Sequence, residues 1–177
     1  ALVPFDVPAV SETNILGNKF EKEIIRLLFE GIEEILDNIF DNISPDDLEN
    51  EELKELAQLV LDSYHNSVFE TAALIEKIEN PDLQKFVINL SMMEETISPK
   101  HGEEYTSKEV LRNNLLRYSH DVVRKFQILK LDHQIADARK QISNTEDNSE
   151  ILELLSLLKD LENEKQMILS QNDEAIY

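Results

Sequence analysis

Apolar residues recur at steps of three and four along most of this chain, the signature of amphipathic helices. Phe20, Ile24, Leu27 and Leu28 share one face of a helix beginning near Asn18. Gly31 ends or kinks it, and Ile32, Ile35, Leu36 and Ile39 continue as a second helix. Ser44-Pro45-Asp46-Asp47 is a helix start: Ser44 can cap, Pro45 suits the first helical position, and an acid follows three residues after the cap. It opens one short turn. Asn50 caps a further helix with Leu53, Leu56, Ala57, Val60, Leu61 and Tyr64 on its buried stripe, broken near His65–Ser67. Phe69, Ala72, Ala73, Ile75 and Ile78 come next. Asn80-Pro81 repeats the cap-then-proline signal ahead of Leu83, Phe86, Val87, Leu90 and Met93. Ser98-Pro99 through Gly102 reads as a loop, and residues 1–13, with Pro4 and Pro8 and no periodicity, as the tail of an interdomain linker.

The second half differs in character. Thr106 and Glu109 form a capping box, and beyond them neither proline nor glycine occurs. A helix over 107–142 spans about 54 Å at 1.5 Å per residue. The polar stretch Ser143–Ser149 breaks it, and a second helix over about 150–170 folds back. Ile128, Leu131, Ile135, Ala138 and Ile142 on the first arm alternate steps of three and four. Ile151, Leu154, Leu158, Leu161, Lys165 and Ile168 do the same on the second, giving two heptad seams of an antiparallel hairpin. The expected fold is therefore all-α: a compact helical bundle over 14–105, a long connecting helix over 106–142, and a C-terminal antiparallel helical hairpin over 126–172.

Composition agrees with that reading. The 177 residues are 41% apolar with three glycines and five prolines, enough apolar material for a core and few helix breakers. The absence of cysteine rules out disulfides and thiolate metal sites and fits a reducing, cytoplasmic setting. No apolar run approaches a membrane span, so no membrane partner is expected, and the first residues lack the layout of a signal peptide. The net charge is −20, unevenly spread. Residues 106–142 hold 8 Lys and Arg against 4 acids, whereas 143–177 hold 2 against 9. Such a chain is a poor nucleic-acid binder, since phosphate neutralisation needs a basic surface. Contact with nucleic acid is expected to be weak and indirect at most, and the basic middle segment reads as a solvated helix face.

A search for chemistry finds little. The glycines are isolated, so no phosphate loop is available. No serine sits in a nucleophile elbow with His65, His101, His120 or His133. Asp62 with His65 is the best metal-ligand pair, but a helical-bundle metal site needs that pair twice and no second pair is present. The paired acids Glu94-Glu95 and Glu103-Glu104 read as solvated surface. No catalytic, cofactor or metal residues are assigned. What remains is apolar surface beyond the needs of the hairpin. Phe126 and Leu129 lie off the seam of the first arm, and Leu152, Leu155 and Leu169 off that of the second. Partner docking, packing onto the bundle, or self-association would each cover them, and docking by helix-to-helix packing is the expectation.

The order of FEKEIIRLLF (20–29), ISPDDLENEELKELAQLVLD (43–62) and AALIEKIENPDLQKFVINLSMMEE (72–95), followed by LLRYSHDVVRKFQILKLDHQIADARKQI and ILELLSLLKDLENEKQMI, resembles the C-terminal region of bacterial DNA primases. The resemblance spans about residues 15–170 and is carried by order and spacing. It implies a non-catalytic domain of a primer-synthesising enzyme, in which a terminal hairpin docks onto the N-terminal domains of the hexameric replicative helicase at the replication fork. By position, docking would fall on the hairpin, near Leu129, Leu152, Leu155 and Leu169, and the domain alone would be a monomer. The alternatives are the N-terminal collar of the replicative helicase itself, which would self-associate, an unrelated coiled-coil adaptor, or a bundle enzyme with a hidden metal.

Overall fold

The computed structural model describes residues 18–66, 69–92 and 108–171. All regular structure in these residues is helical: α1 (Lys19–Phe29), α2 (Glu33–Phe40), a 3-10 turn (Pro45–Asp47), α3 (Glu51–His65), α4 (Thr71–Glu76), α5 (Pro81–Met92), α6 (Lys108–Asn144) and α7 (Asn148–Ser170). The all-α expectation, with a long helix leading into a C-terminal hairpin, holds. The chain divides into two compact units between Arg112 and Asn113, so the boundary falls inside α6.

In the first unit α1 packs against α2, α3 and α5. A helix with neighbours on several sides needs more than one apolar stripe. Ile25 and Phe29 are accordingly buried along with the expected Ile24, Leu27 and Leu28. Ile35, Leu36, Ile39, Leu53, Leu56, Val60, Leu74, Leu83 and Val87 are among the other residues of this core. The starts of α1, the 3-10 turn and α3 follow local chemistry, whereas α2 and α4 begin without a side-chain cap. Asn18 and Glu21 form a reciprocal capping box, with the Glu21 N–H donating to Asn18 Oδ1 at 2.9 Å and the Asn18 N–H donating to Glu21 Oε2 at 3.2 Å. Glu21 is 1% exposed, and its Oε1 accepts a 2.5 Å hydrogen bond from the Glu49 N–H, fastening the start of α1 to the entry of α3. Ser44 caps the 3-10 turn and Asn50 caps α3. Gly31, at φ 68°, closes α1 in the left-handed conformation that only glycine adopts without strain.

The second unit is built on α6 and α7. Leu131, Ile135 and Ala138 on α6 and Leu154 on α7 are buried, while Ile128, Ile142, Ile151, Leu158, Leu161, Lys165 and Ile168 are half-buried. These eleven positions are the two seams read from the heptads, joined antiparallel. Arg139 donates to Glu162 at 2.7 Å and Lys165 to Asp132 at 2.5 Å across them. The connection is shorter than the polar stretch suggested. Asp147 accepts from the Ser149 N–H and caps α7, so only Thr145–Asp147 remains outside helix. The linker at residues 1–13, the Thr106 cap, Met93 and the 98–102 loop lie outside the described residues.

Candidate protein-docking surface

Seam geometry decides which α7 side chains face outward. Residues at steps of three and four from Ile151 to Ile168 take the inner side, and the residues between them are left on the flanks and back. Leu152 is 69% exposed, Leu155 46% and Leu169 41%. These three are the off-seam leucines singled out in the sequence. Two further apolar side chains, Leu157 at 48% and Met167 at 65%, are also exposed. They each precede a seam residue by one position, Leu158 and Ile168, and that offset was legible in the heptads. They share a flank with Glu153, Asp160 and Glu164, all exposed. One helix thus presents five large apolar residues to solvent along about 17 residues, near 25 Å of axis, Leu152, Leu155 and Leu169 on one flank of the seam and Leu157 and Met167 on the other. A soluble surface carries single exposed apolar residues routinely, but a row of them along one element is the mark of an interaction site.

On α6 the outcome differs. Phe126 is 4% exposed, which corrects its assignment to the partner-facing set. It was placed off the hairpin seam correctly, but lying off one seam does not mean lying free. Ser119, Val122, Val123 and Phe126 are all buried and stand at i, i+3, i+4 and i+7. Nine residues separate Phe126 from Ile135, which at about 100° per residue puts them on opposite sides of the helix. Helix α6 therefore carries two buried faces in succession, and Phe126 belongs to the first. Leu129, at the edge of that face, is half-buried. Of the five residues assigned to the partner-facing set, the exposed ones are therefore those on α7; Val110, Leu111 and Tyr118 near the start of α6 and Ile88 on α5 are further exposed apolar side chains.

Charges around α6 are largely spoken for. Asp121 accepts from Lys125 at 2.5 Å and from Arg124 at 3.2 Å, and the Lys125 hydrogen bond, with the neighbouring Arg124, holds its carboxyl below the ordinary range despite some burial. Arg112 pairs with Glu34, lowering the glutamate and raising the arginine. Arg139 is engaged by Glu162. The basic segment reads as an internally compensated helix surface rather than a phosphate track. No described helix is long and apolar enough to cross a membrane. Of the candidate ligand pair, Asp62 accepts from Gln58 at 2.8 Å, the His65 ring lies 6.3 Å from that of Tyr64, and among the described residues no third metal-ligating side chain joins them.

A family model described as a domain of unknown function (DUF8430) matches residues 9–171. No curated protein and no solved structure matches the chain.

Proposed function

Because the chain belongs to the DUF8430 family, whose description assigns no activity, we propose its function from its own surface: a non-catalytic docking domain whose α7 hairpin arm binds another protein. The observation that carries this is the exposure of Leu152, Leu155 and Leu169 on one flank of α7, with Leu157 and Met167 on the other, on a helix whose seam is already filled. Burying such side chains contributes about 1.5–3 kcal/mol each at best, and a handful of them forms the centre of a standard interface.

The partner we propose is the N-terminal domain of a hexameric replicative helicase, with the chain acting as the helicase-binding portion of a bacterial primase in the cytoplasm. The support is the order of sequence motifs resembling primase C-terminal regions, together with the hairpin those motifs end in. The domain itself contributes position, holding an attached polymerase at the fork, and supplies no chemistry.

Titration of the chain against the helicase N-terminal domain by calorimetry tests the reading. Saturable binding is expected, and Leu152→Asp with Leu155→Asp should weaken it at least about tenfold with helical circular dichroism unchanged. Absence of binding by the parent chain would remove the helicase as partner. Loss of helicity in the double variant would make the leucines structural and remove the docking face. Light scattering separates the helicase-collar alternative, which predicts a ring-sized mass where a docking domain gives the mass of one chain.

A further inference from the structure

The first unit carries a groove of about 400 Å³, walled by Phe40, Ile43, Leu61 and Tyr64 and rimmed by Asp37 and Asp41. The Phe40 and Tyr64 rings are nearly parallel, 24° apart with centroids at 6.5 Å. Asp37, Asp41 and His65 at the rim are exposed, so the groove opens to solvent. Its volume falls in the range of sites that hold a ligand or one large side chain.

Among the described residues the charge at the rim has no cationic partner. Glu33, Asp37 and Asp41 stand at i, i+4 and i+8 on α2 and its cap. Among the described residues no lysine or arginine pairs with any of them, whereas the adjacent Glu34 is paired with Arg112. Like charges at i, i+4 destabilise a helix, and Asp41 adds a carboxylate at the negative end of the helix dipole. Two local rules are broken on one face of an eight-residue helix, and they are broken beside an aromatic groove. Sequences depart from such rules where another requirement is being met.

We propose that this groove receives an arginine side chain from a partner protein, the guanidinium lying against the Phe40 and Tyr64 rings and pairing with Asp37 and Asp41. Arginine fits better than lysine because its planar, weakly hydrated head stacks on aromatic rings while its edge meets carboxylates in pairs. Its aliphatic stem suits the Ile43 and Leu61 wall. Tyr64 donates its hydroxyl to Asp37, which anchors that carboxylate through one oxygen. Asp41, which has no side-chain hydrogen bond among the described residues, completes the pairing. The inference stands apart from the α7 reading: neither the groove nor its rim shares a residue with that surface.

Isotope-labelled full chain, titrated at about 0.15 M salt with the capped tripeptide glycyl-arginyl-glycine and separately with its citrulline counterpart, tests it by nuclear magnetic resonance. Citrulline keeps the planar head and loses the charge. Saturable shifts centred on Phe40, Tyr64 and His65 are expected, with the citrulline peptide bound at least about fivefold more weakly. Asp41→Asn, at an exposed position, should weaken the arginine peptide several-fold with the helical circular dichroism unchanged. Glu153→Gln on α7 should leave it unchanged. Equal binding of the two peptides, shifts spread evenly over other acidic surfaces, or indifference to Asp41→Asn would each overturn the proposal.

Discussion

At the scale of single residues, two positions are set by constraints that their neighbours impose. A Cβ on Gly31 would lie 2.6 Å from Phe69 Cε1, and its φ of 68° already disfavours any other residue. Gly31→Ala is expected to cost about 1–3 kcal/mol, read as a lowered denaturant midpoint with an unchanged slope. Tyr64 is the second. Its hydroxyl donates to Asp37, and this bond, then burial, then the charges of Asp37, Glu33 and Asp41 push its pKa up from 10.0 to about 12. The folded chain therefore holds this proton more tightly than the unfolded one. The resulting stabilisation is complete below pH 10 and is lost as pH rises through about 12. Tyrosinate absorbance should show Tyr64 ionising near 12, and Asp37→Asn should bring it back toward 10. An unchanged titration in that variant would remove Asp37 as the main cause.

Single elements are governed by stripe geometry. Helix α6 is the instructive case, because its buried positions change sides along its length: Ser119, Val122, Val123 and Phe126 first, then Leu131, Ile135 and Ala138. A residue outside one stripe can be the centre of the other, as Phe126 is. The later stripe belongs to the hairpin. Leu131→Ala should destabilise the α6–α7 pairing by about 2–4 kcal/mol. Hydrogen exchange should speed up along 128–142 and 151–168 while the protection of α1 stays as it was. Arg139→Ala at the exposed pair with Glu162 should cost less than about 1 kcal/mol, since surface ion pairs contribute little. A larger loss from Arg139 than from Leu131 would mean that charge, not the apolar seam, holds the arms together.

For the molecule as a whole, the charge balance limits what it can meet. A net charge of −20 repels polyanions at long range, and much of the basic segment is neutralised within the chain by Asp121, Glu34 and Glu162. Mobility-shift assays with single- and double-stranded DNA at physiological salt should therefore show no complex. A shift that weakens steeply with added salt would instead identify a phosphate-binding surface. The same balance bears on self-association. The flank of α7 holding Leu157 and Met167 also holds Glu153, Asp160 and Glu164, and pairing two such flanks would set acid against acid.

Helix positions, the start near Asn18, the proline-led turn at Ser44, the Gly31 stop and both hairpin seams were written in the order of residues. All of them depend on interactions within a few residues or on a repeat that names its own face. The outward position of Leu152, Leu155 and Leu169 followed from that repeat as well. Tertiary structure alone decided the burial of Phe126 and of the Glu21 carboxylate, because each depends on what lies across from it rather than beside it. It also assembled the groove at Phe40 and Tyr64, which joins side chains 24 positions apart. Local periodicity reports how a helix is divided into faces, and only packing determines which of those faces are covered.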